Sequence, residues 1–181
     1  MRRLALLLCL TAACSGGSAT PAGVLDESAF WHLVDQTGGG HVEDRAAVMT
    51  RLLSTAQAAR LESWQQQVVA RAGELNTTSL HEAMAVVCGP QDPDGFAADR
   101  GWLLAHGQAV FRTARDRPDA LASLPDLEQV CDGSGAAFLD AATPRYSDLG
   151  FEPGGDAFPA VDLSPPKGPS GGRFPLLHKR F

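Results

Sequence analysis

The sequence predicts a mainly α fold: a compact, bundle-like helical domain over residues 25–149 and an irregular Pro/Gly-rich segment over 150–181 packing on it. Three observations carry this reading. From Leu25 to about Arg117, apolar residues recur at spacings of three and four with few interior prolines, the period of helices that bury one face. No stretch alternates polar and apolar residues convincingly, and only Ala83 to Cys88 leaves a strand open beside a helix. In EPGGDAFPAVDLSPPKGPSGGRFP, proline and glycine erase any period.

The elements follow in order. Asp26 is placed to cap a first helix carrying Ala29, Phe30, Leu33 and Val34, which stops at Gly38 to Gly40. A second helix over Val42 to Leu53 sets Val42, Ala46, Met49 and Leu53 on one stripe. Thr55 would cap a third, with Leu61, Trp64, Val68, Ala72 and Leu75 inward, until Asn76 and Thr77 break it. A fourth, Ser79 to Val87, ends at Gly89-Pro90. The fifth contains the stretch CGPQDPDGFAADRGWLLAHGQAVF and runs on towards Pro118: Pro93 disfavours helix at Asp92, Asp94 can accept a first-turn amide as cap, and Gly95 permits a close neighbour. Beyond Pro118 only short helices are expected, around Ala120 to Leu124 and Ala136 to Ala142, chopped by Gly133, Gly135 and Pro144. Trp31, Trp64 and Trp102 each lie in an apolar stripe, for which core packing is the default and an aromatic recognition surface the alternative.

The first residues, MRRLALLLCLTAAC, combine two arginines, an apolar run and small residues before a cysteine, the pattern of a secretory signal over 1–13. The Ala12-Ala13-Cys14 junction resembles the lipobox of bacterial lipoproteins, with Thr11 where that pattern prefers leucine. Lipidation of Cys14 is therefore expected, with 14–24 as a flexible tether and the bacterial cell envelope as the location. The alternative is an ordinary signal cleaved nearby and a soluble secreted or periplasmic protein. With Cys9 leaving in the signal and Cys14 taken by lipid, Cys88 and Cys131 remain as an even pair in an oxidising compartment. A disulfide between them is expected, and two separately buried thiols are the alternative.

Charge narrows the partners. With 15 basic against 21 acidic residues and no basic run longer than Arg2-Arg3, no phosphate-tracking surface is available, so nucleic acid is not an expected partner. An acidic body would be repelled by anionic lipid, which leaves the N-terminal lipid to hold the protein at the membrane.

The chemical motifs fail one by one. A calcium loop around Gly95 would have Asp92 and Asp94 in place but Pro90 and Gly101 where its first and last ligands belong. HEAMA at His81 has Ala85 where a zinc protease needs its second histidine, and Gly133-Ser134-Gly135 lacks the spacing of a nucleophile elbow. Gly38 to Gly40 has no following lysine to make a phosphate loop. Asp99 and His106 share a helical face but lie two turns apart, about 10 Å, which is too far for a dyad. No catalytic, cofactor or metal residue is assigned. Arg100, close in sequence to Phe96, Leu103 and Leu104, is either a packed stem capping carbonyls or an anion-binding arginine.

Two stretches carry a family resemblance: FWHLVD from Phe30 to Asp35, and CGPQDPDGFAADRGWLLAHGQAVFRTARDRPDAL from Cys88 to Leu121. They resemble the bacterial domain of unknown function 4240, with Asp94, Gly95, Phe96, Arg100, Trp102, Leu103, Gly107, Val110, Phe111, Pro118 and Asp119 at matching positions. The closing RFPLLHKRF is also similar, so the likeness runs over about 26–181. Asp99 stands where the family usually has an aromatic, and Gly89-Pro90 replaces a more regular turn. The resemblance implies a compact helical fold and no established activity.

Two functions remain. The first is a helical binding or interaction module of the envelope, its partner an envelope protein or a small ligand, its functional surface around Asp94, Arg100, Trp102 and His106. The second is a hydrolase or transferase with a dispersed acid/base site near Asp94, Arg100 and His106.

Overall fold

A computed structural model describes residues 24–152 and 158–181. The signal expected over 1–13, the expected acylation site Cys14 and the expected tether up to residue 23 lie outside the described residues. The fold is mainly α, as expected. Its helices are α1 (Glu27–Asp35), α2 (Val42–Leu53), α3 (Ala58–Glu74), α4 (Thr78–Cys88), α5 (Pro93–Ala105) and α6 (Gln108–Asp116). Two 3-10 turns follow, Pro118–Ser123 and Leu127–Asp132, then the short helices α7 (Gly135–Leu139), α8 (Thr143–Asp148) and α9 (Pro175–Arg180). Among the described residues there is no strand; Ala83 to Cys88 is helical, in α4.

The predicted stripes are the core. Val42, Ala46, Met49 and Leu53 are all buried on α2, and Leu61, Trp64, Val68 and Ala72 on α3. Phe30 packs against both Trp31 and Trp64, with ring centroids 4.8 and 4.9 Å away, so α1 is tied to α3 by aromatic contact.

Helix α5 is different from the rest. Every residue from Phe96 to Ala105 is buried, so this helix has no solvent face and shows little amphipathic pattern. It runs through the middle of the molecule, with its most extensive packing against α7. Two glycines make that approach possible. A Cβ on Gly101 would collide with the carbonyl of Gly135, and one on Gly135 with the carbonyl of Ala98. Backbone therefore packs directly on backbone at this crossing.

Several boundaries differ from the sequence reading. The fifth helix is two helices: Gly107, at φ 90°, turns the chain between α5 and α6, a conformation a side chain would resist. Asp92, not Asp94, caps α5, its Oδ1 accepting from the Gly95 amide at 2.8 Å, while Pro93 takes the first helical position. The capping oxygen must come from the residue outside the helix, and Pro93 puts that residue at 92. Gln57 replaces Thr55 at the start of α3, without a side-chain cap. Pro144 begins α8 and does not break it, because the first turn has no use for its missing N–H. The segment after residue 150 also contains α9, whose N-terminus is capped from afar: Asp119 accepts from the Leu176 amide at 2.9 Å and from the Leu177 amide at 3.0 Å.

Residues 158–181 lie along the helices as a strap. Core side chains hold its peptide groups: Gln65 donates to Pro159 O, Asn76 to Ser164 O, and Thr78 to Pro166 O and Gly168 O. Glu82 accepts from the amides of Gly171 and Gly172, which holds its carboxyl below the usual range. Thr77 and Lys167 form an isolated parallel bridge. Phe158, Phe174 and Leu177 bury their side chains beneath it.

Cys88 at the end of α4 is bonded to Cys131 in the second 3-10 turn, with Cα atoms 5.3 Å apart. The bridge closes a loop of 43 residues in sequence separation, worth about 4 kcal/mol on the chain-entropy account. A double variant, Cys88→Ser with Cys131→Ser, should lose roughly that much in denaturant unfolding. Labelling of both cysteines by an alkylating reagent in unreduced, unfolded wild type would remove the bridge. The cap assignment is checked separately. Asp92→Ala should cost about 1 kcal/mol, and Asp94→Ala only a few tenths through the helix dipole; equal losses would return the cap to Asp94.

Candidate functional site

The four residues expected to form a surface separate into different environments. Asp94 is exposed in the first turn of α5. Arg100 has 1% of its surface exposed and donates to three backbone carbonyls: Phe96 O at 3.4 Å, Ala72 O at 3.1 Å and Asp162 O at 2.8 Å. Its guanidinium also lies 5.2 Å from the Phe96 ring centroid. Trp102 is buried, and His106 is half-buried at the C-terminal end of α5. The structure thus brings Trp102 and His106 together and keeps Asp94 and Arg100 away from them. Asp94 and His106 stand at opposite ends of α5, about 18 Å apart along its axis. An acid/base set of Asp94, Arg100 and His106 is not assembled.

Next to Arg100, Asp99 is 1% exposed. Its Oδ1 accepts from Gln91 Nε2 at 3.2 Å, and its Oδ2 has no partner. Burial pushes its carboxyl up to about 7, against the opposing pull of the Gln91 hydrogen bond and the Arg100 charge.

At the C-terminal end of α5 the chain builds a pocket of about 320 Å³. Its floor is the His106 ring stacked on Trp102, centroids 3.6 Å apart and planes 27° from parallel. His106 Nδ1 lies 2.8 Å from Trp102 O. A carbonyl only accepts, so Nδ1 carries the proton and Nε2 keeps its lone pair. Burial, and then the nearby Arg45 charge, lower the pKa of this imidazole against the carbonyl's opposing pull, which favours the neutral ring.

Two further segments, 40–45 and 124–129, close the pocket. Arg45 of α2 donates through Nε to Gly40 O at 3.2 Å and through Nη1 to Ala105 O at 3.0 Å. That fixes its guanidinium between the α1–α2 loop and the end of α5. His41, just before α2, pairs its Nδ1 with Gln129 Oε1 at 3.2 Å. Leu124, Pro125 and Asp126 supply the remaining wall. Asp126 adopts φ 55° and ψ 24°, the single non-glycine residue with positive φ among the described residues. Aspartate tolerates this left-handed region better than most residues, at some cost in strain.

Of these residues the sequence pointed to Trp102 and His106 and missed His41, Arg45, Asp126 and Gln129. They form two short clusters, 41/45 and 126/129, that lie far from each other and from 102–106 in the chain, and no local spacing joins the clusters; Pro125-Asp126 as a turn was the one available signal. Among the described residues no three His, Cys, Asp or Glu side chains come together in a way that could hold a metal ion.

The family model described as "Protein of unknown function (DUF4240)" matches residues 25–148. The match takes in both quoted stretches, all of the helices up to α8 and every residue of the pocket; the closing RFPLLHKRF lies beyond it. No curated protein and no solved structure matched.

Asp99 gives stability a pH dependence. Its folded pKa lies above the unfolded value of about 3.9. The native state therefore retains a proton that the unfolded chain has released, and stability should fall as pH rises from about 4 to about 7 and level off above. Asp99→Asn should remove that fall and unfold at higher denaturant than wild type at pH 8. A wild-type profile that rises across the same window would show that Asp99 is ionised in the fold.

Proposed function

The chain belongs to the DUF4240 family of proteins of unknown function, and from that premise we propose that it is an exported, lipid-anchored binding protein of the cell envelope whose small ligand enters the pocket at the end of α5. The observation that carries the binding reading is the convergence at His106. Three separate segments deliver a stacked indole–imidazole floor, a guanidinium anchored at two points, and polar atoms without partners among the described residues around one concavity. Its volume is at the small end of ligand sites, and few, well-placed polar groups over an apolar floor are what such sites use.

Binding is favoured over turnover by the identity of the lining. The pocket offers a cation, a carboxylate and two imidazoles, but no serine, threonine, cysteine or lysine to act as nucleophile. Export is supported by the basic and apolar leader and by the Cys88–Cys131 bond, since disulfides persist in oxidising compartments. With that pair closed and Cys9 inside the leader, Cys14 is the cysteine left for acylation.

The anchor and the pocket are tested on the same material. Wild type should incorporate labelled fatty acid and sediment with membranes, and Cys14→Ser should do neither; a soluble, unlabelled wild type overturns the anchor. Native mass spectrometry of protein extracted from envelopes should show a bound small molecule that is lost in His106→Phe. Wild type extracted with nothing bound overturns the binding reading.

A further inference from the structure

Within the pocket, and resting on its reading as a binding site, the charges are arranged in an unusual way. Arg45 and Asp126 line the same small concavity from different segments, yet they form no ion pair with each other. Arg45 is held by Nε and Nη1 on two backbone carbonyls, and among the described residues its Nη2 has no acceptor. Among the described residues the carboxylate of Asp126 has no partner; its backbone sits in the left-handed region, and the residue lines the pocket. Strained backbone of this kind clusters where a side chain must be aimed at a ligand.

The neutral groups divide in the same way. The Nδ1 proton of His106 is given to Trp102 O, and burial favours the neutral ring, so its Nε2 is an acceptor; His41 Nδ1 is engaged by Gln129 Oε1. Gln129, with its oxygen so engaged, presents an amide N–H₂ as a donor. Asp126 and His106 Nε2 match an ammonium, which has three protons to donate and nothing to accept with. Arg45 Nη2 and Gln129 Nε2 match a carboxylate, which only accepts. A ligand bearing one unit of each charge would satisfy both without leaving either uncompensated in a half-enclosed site.

We propose that the ligand is a small zwitterion of the free α-amino acid class, its carboxylate at Arg45, its ammonium at Asp126, and its side chain on the Trp102–His106 stack. A cavity of about 320 Å³ has room for one such molecule.

The test is calorimetry and thermal melting of the full mature chain in detergent, titrated with each of the twenty free L-amino acids, their N-acetyl forms and their amides. At least one free amino acid should bind, and both blocked forms should bind at least tenfold more weakly, because each removes one charge. Asp126→Asn keeps a residue at ease with positive φ. It should weaken the free amino acid at least tenfold and abolish the preference for it over its N-acetyl form. N-acetyl forms that bind wild type as tightly as the free acids overturn the zwitterion while leaving the pocket as a binding site. Failure of every free amino acid to bind also overturns the zwitterion; an envelope extract in which wild type carries nothing overturns the pocket with it.

Discussion

A guanidinium almost wholly withdrawn from water must be matched by protein oxygens, and Arg100 is matched by three backbone carbonyls belonging to three segments. Leaving such a charge uncompensated would cost several kcal/mol. Ala72 O belongs to the last turn of α3, where carbonyls have no helical successor to bond, and it sits at the negative end of that helix's dipole. Asp162 O lies in the strap, which has no ladder of its own. Arg100 therefore satisfies acceptors that the fold would otherwise orphan, and in doing so it joins α3, α5 and the C-terminal segment at one point. Burial lowers its pKa, while the Asp162 and Asp99 charges work in the other direction.

The same demand explains why α5 carries its polar residues where it does. A helix enclosed on every side has to account for each polar atom inside the protein. Arg100 does so through carbonyls; Asp99 does so incompletely, with one oxygen paired to Gln91 and one orphaned, and retention of a proton lowers the cost. At its far end α5 stops at Gly107, and this interruption half-exposes His106. One helix thus serves as the centre of the fold for most of its length and as the floor of the pocket for its last turn.

Much of this was legible in the sequence because it is local. The stripe Val42, Ala46, Met49 and Leu53 needs only a period of 3.6 to be read, and Asp26 capping the Ala29 amide at 2.7 Å needs only a spacing of three. The Cys88–Cys131 pair followed from counting. What could not be read is relational. Whether Arg100 caps carbonyls or faces an anion depends on Ala72 and Asp162, which are 28 and 62 residues away. Asp119 and Glu82 look like ordinary surface acids until the strap is laid against them. The pocket unites residues from 40 to 129, and its strained member, Asp126, is strained only because of where the flanking turns lie.

The strap is held by groups that recognise peptide units and not side chains. Gln65, Asn76, Thr78, Glu82 and Arg100 all reach main-chain oxygens or amides, and over 159–172 these partners are indifferent to which residue carries them. The information that specifies this part of the fold is therefore written in the helices that receive the segment. Along the segment itself the requirements are few: glycine at 168 and 171, where φ is 115° and 86°, no side chain at Gly172 against the Phe174 ring, and no proline at the donating amides of Lys167, Gly171 and Gly172. A stretch that reads as low in complexity can in this way be fully specified by a groove that is not.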